Sequence, residues 1–111
     1  MFPKNQRITK KSDFNLIYKK GRVFYSENLS LRILKKNSNI NRFAVIVSKK
    51  VSNKATKRNK LKRRLRELLK KYENRLPKGV DMVIYTKKEL LELNFKELEK
   101  NIKKILTKIK I

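Results

Sequence analysis

Apolar and polar residues alternate with two different periods along the chain, and the changes of period mark its elements. Phe14, Ile17 and Tyr18 recur at i, i+3 and i+4, which predicts a short helix over Asp13 to Lys20, capped by Ser12 and ended at Gly21. Beyond it, Val23 to Tyr25 reads as a short strand, and Leu29, Leu31 and Ile33 alternate with Ser30 and Arg32 as a half-buried one. The polar run Lys35 to Asn39 is a turn, and the continuous apolar run Phe43 to Val47 suits a central strand that pairs with the preceding one as a hairpin. Leu61, Leu65, Leu68, Leu69 and Tyr72 then form the stripe of a helix over about Ala55 to Asn74. Pro77 and Gly79 break it, and Val80, Met82 and Ile84 alternate as another strand. Thr86 with Glu89 resembles a capping box for a short helical turn. Asn94 with Glu97 is a second, ahead of a last helix whose apolar face runs from Phe95 through Leu98, Ile102, Ile105 and Leu106 to Ile109. The order is αβββαβα, an α/β chain of α+β two-layer type with a four-stranded sheet.

Length bounds this to one domain over residues 1–111, since 111 residues supply a single core. Charge changes the picture more. Thirty-three Lys and Arg against nine Asp and Glu leave +24, a charge that a compact body does not carry without a polyanionic partner. The chain has no Cys and no His, so it lacks a thiol nucleophile, the usual zinc ligands and a near-neutral imidazole base. The nine acids show no recognised spacing for a metal centre, which disfavours an autonomous nuclease. No apolar stretch approaches the roughly 18 residues of a membrane span, and the N-terminus lacks the apolar middle of a signal peptide. A cytoplasmic protein without membrane contact is expected.

The charge is unevenly placed. From Lys49 to Lys71 twelve Lys or Arg face one acid, Glu67. At about 100° per residue, Arg58, Lys62 and Arg66 fall within about 80° of one another, with Asn59, Arg63 and Lys70 beside them, to one side of the leucine stripe. Four of the nine Arg lie between Arg58 and Arg66, and Arg grips phosphate in a two-point fork where Lys is a point charge. Charge runs are commonly solvated faces, but this density without acids has no internal partners to offset it. Nucleic acid is the expected ligand, and charge alone does not choose RNA over DNA.

The segment Ala55 to Glu67 reads A-x-x-R-N-x-x-K-R-x-x-R-E, seven fixed positions at helical spacing, and resembles the protein subunit of bacterial ribonuclease P. Arg7, Ser12-Asp13-Phe14, Tyr18 and Gly21 resemble that family's first helix, and Val45-Ile46-Val47-Ser48-Lys49-Lys50 its strand entering the basic crossover. The resemblance covers about residues 5–85, and the last helix agrees in type. One departure is Lys60, where the family has the second Arg of its R-N-R triplet; the charge stays and the fork is lost.

The resemblance implies a fold like a domain of a small-subunit ribosomal protein, with a left-handed βαβ crossover against the right-handed default. It implies a subunit that binds a large catalytic RNA, one protein to one RNA, and helps it remove the 5′ leader of precursor tRNA by magnesium-dependent hydrolysis. The RNA performs the chemistry and holds most of the magnesium, and the isolated protein is expected to be inactive. Arg58, Asn59, Lys62, Arg63 and Arg66, with Lys60, would meet the RNA, flanked by Lys49, Lys50 and Lys54. Phe14, Tyr18, Ser30 and Arg32 would line a cleft for the single-stranded leader. On the residues alone both Phe14 and Tyr18 read first as core; with the resemblance Phe14 fits core as well as cleft, and Tyr18, whose hydroxyl tolerates water, fits the cleft. The rival readings are a small basic ribosomal or other structural RNA-binding protein, which needs the basic surface but no leader cleft, and an architectural DNA binder, which the lack of a helix-turn-helix pattern opposes.

Overall fold

The computed structural model describes residues 2–109. Its elements are α1 (Lys11–Lys20), β1 (Arg22–Tyr25), β2 (Leu29–Lys35), β3 (Arg42–Ile46), α2 (Ala55–Lys71), β4 (Val80–Thr86) and α3 (Phe95–Leu106), with 3-10 turns at Lys4–Gln6, Glu73–Arg75 and Lys88–Glu92. The four strands form one sheet in the order β1-β2-β4-β3, antiparallel except for the parallel pair β3 and β4. The expected element order and sheet size are those found.

The strand pairing differs from the sequence reading. The segments expected to form a hairpin, now β2 and β3, are separated by β4, which pairs with both. The hairpin is formed instead by β1 and β2, in register Phe24 to Leu31 and Tyr25 to Ser30. An apolar run does not say which strand lies centrally. β4 is buried on both faces, through Val80, Met82 and Ile84 on one and Asp81 and Val83 on the other. β3 is an edge strand whose apolar character is covered partly by the N-terminal segment, bridged at Arg7 to Phe43, where the Phe2 and Phe43 rings stack 4.5 Å apart.

Leu29, Leu31, Ile33, Phe43, Val45, Met82 and Ile84 face the main core, closed by Leu61, Leu65, Leu68 and Leu69 of α2 and by Leu98, Ile102 and Ile105 of α3. The other face carries a smaller cluster of Ile8, Ile17 and Val83 beneath α1. Each Leu buried in this way stabilises the fold by roughly 1.5–3 kcal/mol, so the 3.6-residue stripe of α2 explains why so cationic a helix docks at all.

The helix ends depart in detail. α1 begins at Lys11 with Lys10 as its N-cap and no side-chain cap, so Ser12 does not cap it; Asp13 of its first turn is engaged by Arg42 and Lys36. Gly21 does end α1, its N–H donating to the Ile17 carbonyl at 2.8 Å. α2 stops at Lys71, and Asn74 belongs to the next 3-10 turn. The box expected at Thr86 and Glu89 does not form, because the Thr86 hydroxyl donates to Ile46 O at 3.1 Å across the sheet and Lys87 caps the turn. The Asn94 and Glu97 box forms in both directions, at 2.9 and 3.0 Å. Gly79 is in the left-handed region at φ 78°, and a Cβ there would collide with the Ser38 carbonyl, so the turn into β4 requires glycine.

Candidate nucleic-acid interface

The leucine stripe fixes how α2 presents its cations. Leu61, Leu65, Leu68 and Leu69 point into the core, which leaves two flanks and an outer ridge. Arg58, Lys62 and Arg66 follow the flank facing β3, and each is half-buried. The Arg58 Nη1 donates to the Ser52 carbonyl at 2.9 Å, tying the loop from β3 to the helix it enters. Asn59 and Arg63 are exposed on the ridge, and Lys49, Lys50 and Lys54 are exposed in and beside the preceding loop. The structure therefore gathers most of the expected RNA-binding residues on one side. Lys60 is the exception. It lies on the opposite flank, lining a hollow with Lys57 and Arg64 against the 3-10 turn Lys88–Glu92 and α3.

Ion pairing divides the helix along its length. At its C-terminal end Lys70 meets Glu73 at 3.3 Å, and Lys71 meets Glu99 at 2.6 Å, a hydrogen bond that raises the Lys71 ammonium and lowers the Glu99 carboxyl from their ordinary values. Toward the N-terminus, among the described residues, no acid pairs with Lys57, Lys60, Lys62, Arg63, Arg64 or Arg66. Those six cations repel one another with only the exposed Glu67 on the same helix and no ion pair among the described residues to offset it, so a polyanion laid along this end relieves the repulsion and gains contacts at once.

The reverse face of the sheet is the second part of the candidate site. Ser30 and Arg32 are on it, half-buried, as the alternation in β2 requires. Arg32 stacks its guanidinium over the Tyr18 ring at 4.3 Å and donates Nη1 to the Tyr18 carbonyl at 3.3 Å. Tyr18 itself is 64% exposed, while Phe14 packs on the Ile8, Ile17 and Val83 cluster. Phe14 is not only core, since it also lines a hollow of about 230 Å³ with Arg7, Thr9, Phe43, Ile46 and Arg66. Arg66 thereby links the two parts, standing on α2 and reaching the sheet-edge hollow that Phe14 walls.

Two aromatic residues of this face escaped the sequence reading. The strand register sets Tyr25, Ser30, Tyr85 and Ile46 in one row across all four strands, with Tyr25 65% exposed. Tyr85 follows Ile84 in an alternating strand, so its outward direction was readable; its alignment with Tyr25 depends on the pairing order.

α1 is held over this face by a charged cluster. Asp81, 1% exposed, accepts from Arg42 Nε at 2.9 Å and Nη2 at 2.6 Å and pairs with Lys36 at 3.0 Å, while Arg42 Nη1 reaches Asp13 of α1 at 3.3 Å. Burial pushes the Asp81 carboxyl up, but the hydrogen bonds from Arg42 and Lys36 outweigh it and hold the group below the ordinary aspartate value. The Arg42 guanidinium is raised in turn, chiefly by its hydrogen bond to Asp81. These two aspartates are therefore cation-bound, and no group of three potential metal ligands occurs among the described residues. The donor set does not fit a magnesium site built by this chain alone.

A small α/β body with a helix whose N-terminal cations lack acid partners on one side and a tyrosine-bearing sheet face on the other defines a nucleic-acid-binding subunit. The family model for ribonuclease P matches residues 2–110. A ribonuclease P protein component from Pseudanabaena sp. is 35% identical over all of this chain and 97% of its own length, and one from Finegoldia magna is 36% identical over 86% of this chain and 83% of its own. The solved ribonuclease P protein of Thermotoga maritima superposes with a TM-score of 0.85 at 31% identity, covering 95% of this chain and 98% of that one. The Staphylococcus aureus protein gives 0.84 at 25% identity, over 92% and 93%. The chain belongs to the ribonuclease P protein family, as the protein component of that tRNA-processing endoribonuclease.

Proposed function

We propose that this subunit holds the catalytic RNA with the N-terminal half of α2 and receives the 5′ leader of precursor tRNA on the reverse sheet face, one protein to one RNA, in the cytoplasm. The observation that carries the reading is the run of unpaired cations on α2 next to the hollow that Phe14 and Arg66 share. Arg58, Asn59, Lys62, Arg63 and Arg66 engage RNA phosphates, with Lys49, Lys50 and Lys54 extending the contact toward β3. Fixed guanidinium and ammonium groups beside crowded phosphates replace diffuse counterions, so the RNA needs less free magnesium to reach its active arrangement. Magnesium, when bound, supplies the activation of water and stabilisation of the leaving oxygen, on RNA ligands. Tyr18, stacked by Arg32, and Ser30 contact the leader, and stacking tolerates any base because each offers a π face.

The test is the magnesium concentration for half-maximal precursor cleavage by the reconstituted enzyme. Arg63→Ala raises it, whereas an unchanged midpoint removes α2 from this role. A ribosomal or purely structural RNA binder has the basic helix but no reason to prefer precursor over mature tRNA, and equal affinity for both favours that alternative.

A further inference from the structure

The geometry points to a second RNA contact on the flank of α2 turned away from β3: a hollow that takes one unpaired nucleotide of the RNA subunit, its base among leucines and its phosphates on Lys57, Lys60 and Arg64. This rests on the proposal that α2 binds that RNA, and adds a place on the helix and a kind of nucleotide.

The hollow is about 180 Å³, lined by the three cations together with leucines from α2, the Lys88–Glu92 turn and α3, including Leu61, Leu91 and Leu98. No carboxylate lines it, and no acid pairs with its three cations among the described residues. It is small beside the roughly 300 Å³ and more of sites for whole small-molecule ligands, so it suits one flat group. An apolar floor under a wholly cationic rim calls for an apolar body that carries negative charge, which is what an unstacked nucleotide presents.

The helix geometry makes this contact separate from the first. At about 100° per residue, Arg64 points about 160° away from Arg66 and Lys57 about 100° away from Arg58. One phosphate strand lying along the β3 flank does not reach Arg64. Yet Lys60 and Arg63 are only about 60° apart around the ridge, so on the N-terminal side of Glu67 cations run from one flank to the other. That continuity favours RNA over an acidic peptide, because the same polymer can wrap the helix. It also explains why a Lys serves at position 60. Beside a leucine-lined hollow its aliphatic stem packs on the floor while its ammonium reaches a phosphate, and no fork is needed.

The test uses the full chain and a transcript of its RNA subunit, with affinity measured from 50 to 200 mM salt. Lys57→Ala with Arg64→Ala lowers the magnitude of the log–log salt slope by about two, so the wild type loses roughly tenfold more affinity over that range than the variant. Lys100→Ala with Lys104→Ala, equal in charge removed but placed on α3, leaves the slope unchanged. Leu91→Gln keeps the slope and abolishes protection of one unpaired nucleotide from chemical modification. A wild-type slope in the Lys57 and Arg64 variant overturns the inference and leaves the hollow to another class of partner, such as an acidic peptide. An equal fall in the α3 variant overturns it too, by showing a general charge effect. An unaltered protection pattern in Leu91→Gln removes the base from the hollow. Failure of the wild type to bind the transcript at all is a different result, and defeats the proposed function itself.

Discussion

Arg42 decides more than its place on an edge strand suggests, because it joins Asp13 of α1 to the buried Asp81 of β4. Replacing it by Ala leaves Asp81 buried with Lys36 as its remaining cation, and loss of one partner of a buried pair costs about 3 kcal/mol. A fall of that size in unfolding free energy by urea titration is expected for Arg42→Ala. The same carboxylate sets an acid limit. Its folded value is depressed, so its stabilisation is fully present above the unfolded value near 3.8 and is lost as pH falls through the lower folded one. Glu99, also lowered, acts in the same direction. Stability therefore holds from neutral pH down to about 5 and declines below about 4, and Asp81→Asn flattens that decline; an unaltered profile in the variant contradicts the assignment. Tyr18 is proposed to serve the leader instead. With its ring exposed and its fold contacts few, Tyr18→Ala weakens precursor tRNA binding by about 1–3 kcal/mol and leaves mature tRNA binding and the unfolding midpoint unchanged.

Among the elements, those with strong local signals were the most legible. The Asn94 and Glu97 box marks the start of α3 in sequence and in structure, and Asn94→Ala is expected to cost about 1 kcal/mol, read as a lower thermal midpoint. The Thr86 and Glu89 pair has the same pattern and no box, since the Thr86 hydroxyl found a partner on β3. Local spacing gives the capacity for a cap; tertiary contacts decide whether it is used. The strands show the same division. Alternation placed Leu29, Leu31 and Ile33 inward and Ser30 and Arg32 outward, but nothing within β3 or β4 says that β4 lies between β2 and β3. Helical spacing likewise foresaw the α2 face from Arg58 to Arg66. The separation of Lys60 from it, and the row Tyr25, Ser30, Tyr85, Ile46, emerged only with the packing of α3 and the order of strands.

The whole molecule is a scaffold whose net charge of +24 is tolerated because the apolar faces of α2 and α3 share one core, while the acids that form ion pairs tie α1 to the sheet and hold the C-terminal end of α2, leaving its N-terminal half unpaired. Such a body binds RNA with strong salt dependence: six to ten phosphate contacts imply roughly a 10³- to 10⁵-fold loss of affinity between 50 and 200 mM salt, and a flat response contradicts a phosphate-gripping surface. The division of labour between protein and RNA is tested most directly by precursor cleavage at low magnesium with the RNA subunit alone, the protein alone and the two together. Leader removal only by the combination is the predicted result. Cleavage by protein freed of all RNA, or equal cleavage by the RNA with and without the protein, would contradict it.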